Sequence, residues 1–156
     1  MKLTKALLEK VSARVLADTA FLMPEPLVTD PPPASRWSAI GVRILFSGPV
    51  RGYVEVWTPR AIARRLAANM LGRDISDPDV EENELDALME TVNIICGNLL
   101  LEVAGRDPIF HLGTPRTCRR LVPFTQRDPG TDVWLSLEGE ALLVRMRVAA
   151  EKTRAA

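Results

Sequence analysis

The chain predicts an α+β domain: a largely antiparallel sheet with long helices packed on it. Two patterns and one absence carry this expectation. Apolar residues recur at helical spacing near the N-terminus and again through the middle, while the segments between and after them alternate apolar with polar residues. The alternating segments follow one another across short turn signals, as antiparallel hairpins do. No strand–helix–strand alternation runs along the chain, which argues against a doubly wound parallel sheet. The 156 residues fit a single domain, 1–156, and a chain of that size hides about 70% of its unfolded surface.

Residues 3–20 read as an amphipathic helix, with Leu3, Leu7, Val11, Val15 and Leu16 on one side and Thr4 as its cap. Residues 24–35 carry Pro24, Pro26 and the run Pro31-Pro32-Pro33, so an extended connector is expected there, within the same domain. Residues 37–46 and 50–57 alternate on either side of Ser47-Gly48-Pro49 and should pair as an antiparallel hairpin. Tyr53 and Trp57 fall on the face opposite the valines, which implies that this face is partly covered too. Thr58-Pro59 should open a helix, cap then proline, that ends at Gly72. Ile62, Leu66 and Met70 supply its buried stripe, and Arg60, Arg64 and Arg65 a solvated face. After a loop at 74–79, a long helix is expected over 80–104, with an acidic first turn and Gly105 as its stop. Strands are expected at 108–112, 117–124, 132–137 and 141–148, the last two as a hairpin around Glu138-Gly139-Glu140. The tail from Ala149 should fray.

Composition excludes several function classes. Twenty Lys and Arg balance twenty Asp and Glu, so no overall charge draws the chain to nucleic acid or an anionic membrane. One histidine and two cysteines, with no CxxC, leave no usual zinc ligand set, and no disulfide framework is expected. No uninterrupted apolar run approaches the ~20 residues of a membrane span. Glu9, Lys10, Arg14 and Asp18 break every candidate signal-peptide core. A cytoplasmic protein is expected. His111, alone in a strand-like run, reads as structural, and no Ser/His/Asp or Cys/His arrangement is readable.

The helix over 80–104 carries the chemistry. Asp86, Glu90, Asn93 and Gly97 fall in a stripe roughly 60° wide at about 100° per residue. Polar residues at i, i+4 and i+7 would serve simply as the wet side of a surface helix. Two residues fit that role poorly. An asparagine side chain competes for backbone hydrogen bonds, and a mid-helix glycine costs roughly 1 kcal/mol against alanine. Ile94 and Leu101 lie beside the stripe, outside the main apolar arc, as side chains of a docking surface would. Glu82, Glu84 and Glu90 offer no second carboxylate across a cleft for glycoside chemistry.

Asp86-x3-Glu90-x2-Asn93, continued by Ile94-Ile95-Cys96-Gly97-Asn98, resembles the signature of the CheC/CheX/FliY chemotaxis phosphatases, and most closely the CheX-like branch with one motif per chain. Residues 52–56, the helix containing Ala63, Leu66, Ala67, Met70 and Leu71, and Gly113-Thr114-Pro115 resemble the segments around that motif. Arg116 and Arg119 stand where the family pattern has a more apolar strand. The resemblance implies a CheC/CheX-like fold and hydrolysis of the aspartyl phosphate on a CheY-type response regulator. It implies that Asn93 places the attacking water and that Glu90 pairs with the regulator's lysine. Asp86, Ile94, Gly97 and Leu101 would meet the partner. No cofactor of its own is implied, since Mg²⁺ would sit on the phosphorylated receiver domain. A homodimer joined through sheet edges, with the C-terminal strands as candidates, is implied as well. The alternative is a binding module of the same fold that docks a receiver domain or a flagellar-switch partner without catalysis. A structural assembly subunit is a third and weaker reading.

Overall fold

The computed structural model describes residues 2–127 and 129–149. Its elements in chain order are α1 (Lys5–Ala20), β1 (Glu25–Pro26), β2 (Ile40–Ser47), β3 (Gly52–Thr58), α2 (Arg60–Leu71), α3 (Pro78–Glu82), α4 (Glu84–Ala104), β4 (His111–Leu112), β5 (Arg116–Cys118), β6 (Thr131–Leu137) and β7 (Glu140–Val148). The strands form one sheet in the order β1-β6-β7-β3-β2-β4, with β5 also pairing β2. Every pairing is antiparallel. The α+β expectation therefore holds.

Period-two alternation sorts the sheet into two faces. Val42, Ile44, Val54, Val56, Val133, Leu135, Leu142, Val144 and Met146 point inward, each 1% exposed or less. Helices α1 and α4 cover this face, with α2 packed against α4. Leu8, Val11 and Leu16 of α1, Leu66 of α2, and Leu88, Val92, Ile95 and Leu99 of α4 complete the core. α4 is long and apolar enough, by length and composition alone, to cross a membrane, although Glu84, Asp86, Glu90 and Glu102 interrupt its apolar run. Its apolar arc lies against the sheet, so it is the core helix of this fold. The other face carries Arg43, Tyr53, Glu55, Trp57, Trp134 and Arg145, and is partly covered as Tyr53 and Trp57 suggested: Trp57 is 3% exposed. Gly41 opposes Trp57 across β2 and β3, where a Cβ would lie 2.4 Å from the indole ring. The close approach of ring to backbone requires glycine there.

Several boundaries differ from the sequence reading for identifiable reasons. Thr58 does not cap α2. It ends β3, and its hydroxyl donates to the Ala141 carbonyl at 3.4 Å, while Pro59 takes the cap position. The helix expected over 80–104 is two. The Asn83 side-chain amide donates to the Asp79 carbonyl at 2.7 Å, and Asn83 adopts φ −105° and ψ 13° between α3 and α4. This is the backbone competition expected of asparagine. Part of the loop expected at 74–79 is thus the capped start of α3, with the Asp77 carboxylate accepting from the Asp79 N–H. Of the strand expected at 117–124 only Thr117 and Cys118 join the sheet, in a β5 that starts one residue earlier at Arg116, after which the chain crosses the outer face. The proline-rich connector contributes β1, a two-residue edge strand. The Arg60–Arg64–Arg65 face is not merely solvated: all three guanidiniums form ion pairs. Ala149 donates to the Arg51 carbonyl at 2.7 Å, and the rest of the tail expected to fray lies outside the described residues.

Candidate functional site on helix α4

Seven residues of α4 other than Cys96 carry polar side chains, and the structure divides them. Glu84 is 1% exposed and accepts from Arg60 Nη1 at 2.9 Å and Arg64 Nε at 2.7 Å. The Thr91 hydroxyl donates to the Ala87 carbonyl at 2.8 Å, and the Asn98 amide to the Ile94 carbonyl at 2.9 Å. Glu102 pairs with Arg14 at 3.3 Å. The remaining three are Asp86, Glu90 and Asn93, and none of these hydrogen-bonds or ion-pairs through its side chain with a described residue. Asp86 and Glu90 are exposed and Asn93 is half-buried. The three polar residues singled out by spacing are the three that the fold leaves uncommitted.

Regular helix from Glu84 to Ala104 keeps them in register. Residues three and four apart are neighbours on a helix surface, so Glu90 has Asp86 one turn back and Asn93 one turn on, with Gly97 beyond. A Cβ added at Gly97 would meet nothing within 4 Å, so no internal packing demands glycine there. The stripe therefore presents two carboxylates, a carboxamide and a bare stretch of backbone to solvent. Leu101 is 54% exposed and continues it. Ile94 is not a free docking side chain: it is half-buried and packs partly on the core. A convex helix face of this kind suits a protein partner better than an enclosed small molecule.

Two flanking features hold the stripe in place. Gly105, at φ 76°, ends α4 with its N–H on the Leu101 carbonyl. At the other end the Arg60 and Arg64 clamp on Glu84 ties α4 to α2, and hydrogen bonding to Glu84 raises the Arg64 pKa. The sequence reading did not assign this role to Glu84. Its signal was a carboxylate four residues before Leu88, on the buried side of the helix. Elsewhere, His111 is exposed in the edge strand β4. Cys96 and Cys118 are free thiols, and burial pushes them up to about 12 and about 11. Among the described residues no group of three or more His, Cys, Asp or Glu could hold a metal ion.

The antiparallel sheet and its solvent-facing motif helix match the fold that the resemblance to CheC/CheX/FliY-type domains implied. The family model described as chemotaxis phosphatase CheX matches residues 40–122, from the first strand of the hairpin past β5, and the chain belongs to the CheX family. The fold is similar to that of a chemotaxis protein CheX from Desulfovibrio desulfuricans, at 18% identity and TM-score 0.70, over 92% of this chain and 97% of that one. It is similar to a CheX–CheY–BeF3–Mg complex from Borrelia burgdorferi, at 18% identity and TM-score 0.71, over 93% and 97% of the chains. A CheC-like superfamily protein from Shewanella sp. PV-4 matches at 15% identity and TM-score 0.68, over 96% and 100%. No curated protein matches the chain significantly.

Proposed function

We propose that this chain hydrolyses the aspartyl phosphate of a CheY-type response regulator in chemotaxis signalling. The observation that carries the reading is the uncommitted pair Glu90 and Asn93 on one turn of α4, beside four polar residues of the same helix that are all tied down. An acyl phosphate is already activated, so the enzyme needs no nucleophile of its own. It must hold a water in line with the phosphorus, and fixing that geometry supplies several kcal/mol. The Asn93 carboxamide suits this task because its oxygen accepts from water while its nitrogen donates to a phosphoryl oxygen. Glu90 pairs with a lysine of the receiver active site and sets the docked pose. Asp86, Ile94, Gly97 and Leu101 form the contact surface around them, Ile94 through its exposed half. The chain uses no cofactor of its own, and Mg²⁺ belongs to the receiver. The Borrelia burgdorferi complex of the same fold contains CheY, BeF3 and Mg, which supports that class of partner.

The same reading extends to assembly and compartment. The chain acts in the cytoplasm, where receiver domains are phosphorylated, and pairs with a second copy through a sheet edge. β7 is flanked by β6 and β3 and cannot serve, so the C-terminal candidate narrows to the outer edge of β6, where β1 pairs with Leu135 and Ser136 and the Leu27 N–H donates to the Trp134 carbonyl at 3.1 Å. The deciding experiment follows the decay of phosphorylated receiver domains from the same genome with and without the chain. Faster decay supports the phosphatase. Unchanged decay for every receiver, with binding retained, leaves a non-catalytic docking module of the same fold.

A further inference from the structure

The sheet face turned away from α4 holds a second candidate site. A cavity of about 590 Å³ opens beside β2 and β5, with four arginines in its wall: Arg43, Arg116, Arg119 and Arg120. Thr114 and Thr117 add hydroxyls, and no carboxylate lines it. Cys118, also in the wall, is held as the neutral thiol by burial, which pushes it up to about 11. In a chain whose formal net charge is zero, this is a strong local excess of one sign.

The four cations are not equivalent. Arg43 is anchored. Its Nε donates to Glu55 Oε1 at 2.7 Å, its Nη2 pairs with the same oxygen, and its guanidinium lies 4.0 Å over the Tyr53 ring. The Glu55 carboxylate is also held by the Trp57 indole N–H at 2.8 Å and is 2% exposed, so it is committed to the wall behind Arg43. Arg116, Arg119 and Arg120 are exposed, and none forms an ion pair with a described residue. Arg116 sits directly opposite Arg43 in the β2–β5 register, a like-charge pairing in which Glu55 offsets Arg43 alone.

We propose that this cavity binds a phosphorylated small molecule of nucleotide size, with Arg116, Arg119 and Arg120 on the phosphates and Arg43 as the fixed wall. Three uncompensated guanidiniums exceed the charge of one carboxylate and match a group carrying about −2 to −3, as phosphate esters and diphosphates do near neutral pH. Guanidinium forks grip phosphate oxygens bidentately, and their planes stack on flat rings. The volume falls within the range of about 300–1,000 Å³ typical of small-molecule sites. The site lies across the sheet from α4 and does not depend on the phosphatase reading.

The test is isothermal titration calorimetry of the full chain at low ionic strength, with inorganic phosphate, AMP, ADP, GDP and a short poly-glutamate peptide as probes. A nucleoside diphosphate should bind saturably at one site per chain, at least about tenfold more tightly than inorganic phosphate or the peptide, and more weakly as salt rises. The double variant Arg119→Ala/Arg120→Ala should weaken that binding by about tenfold or more. Arg14→Ala, on the helical layer, should not change it. The proposal is overturned if no probe binds saturably, if phosphate or the peptide binds as tightly as the nucleotide, or if the double variant binds unchanged. The substituted arginines are exposed and free of ion pairs with described residues, so the variants should fold normally.

Discussion

Two asparagines five residues apart on α4 have opposite fates. Asn98 spends its amide on the Ile94 carbonyl, whereas the Asn93 amide bonds to no described residue. If Asn93 orients the hydrolytic water, Asn93→Ala removes a group needed in the transition state and little of the docking surface. The expected outcome is a loss of accelerated dephosphorylation of about a hundredfold or more, with receiver affinity changed by less than about threefold, read by phosphate decay and by titration. An equal loss of affinity would make Asn93 a docking residue instead. Gly97 supports a second prediction. A Cβ there meets nothing, and alanine is the better helix former, so Gly97→Ala should stabilise the free chain by roughly 0.5–1 kcal/mol in urea melts. The same variant should weaken receiver binding if the bare backbone is where the partner comes closest. A more stable variant with undiminished binding would remove Gly97 from the contact surface. Most of this stripe was legible because helical periodicity alone places 86, 90, 93 and 97 together. The half-burial of Ile94 was not, since a wheel shows direction but not how far the neighbouring core extends.

Helix α4 holds its angle partly through Glu84, a buried carboxylate gripped from α2. The pairing is lopsided: Glu84 is 1% exposed, whereas Arg60 and Arg64 are 61% and 36% exposed. Removing the carboxylate leaves Arg60 to water and Arg64 to Glu81, 3.4 Å away, but removing both arginines strands a buried charge, which costs about 3–5 kcal/mol. Arg60→Ala/Arg64→Ala should therefore destabilise the chain more than Glu84→Gln does in denaturant melts. The reverse order would mean that water reaches Glu84 once the clamp is gone. The proposed phosphatase activity should fall with either change, because the stripe depends on the helix that carries it. The β2–β3 and β6–β7 hairpins were readable, since a sheet covered on one face writes period two into its strands. The clamp was missed because charges on a helix look solvated until the facing helix is placed. The break at Asn83 was hidden because Val80 and Leu88 keep a helical interval of eight across it, so the apolar pattern runs on while the backbone does not.

At the scale of the molecule, helices cover one sheet face and the irregular segment 119–124 covers part of the other. Across that second face runs a cross-strand row of Arg116, Arg43, Glu55, Arg145 and Asp132, in which Glu55 and Arg145 are 2% and 3% exposed. Arg145 reaches Asp132 at 2.8 Å and lies 4.1 Å over the Phe124 ring. Residues 119–124 could not be placed on this face from sequence, because a cover that bonds to arginines leaves no periodic trace. The helix-covered side makes a pH prediction through Cys96, which is 0% exposed and whose thiol burial raises to about 12. The unfolded chain releases that proton near pH 8.5–9, while the folded chain keeps it. Stability from this group is therefore fully present below about pH 8.5 and is lost as pH rises toward 12, at up to about 1.4 kcal/mol per unit. Between pH 8.5 and 10.5 the wild type should lose about 2 kcal/mol more than Cys96→Ala in urea denaturation. The subtraction is needed because other groups, Tyr53 and Cys118 among them, contribute equally in both chains. Equal losses in the two would mean that the thiol ionises in the folded state as readily as in water, and that α4 sits on the sheet more loosely than a dry core allows.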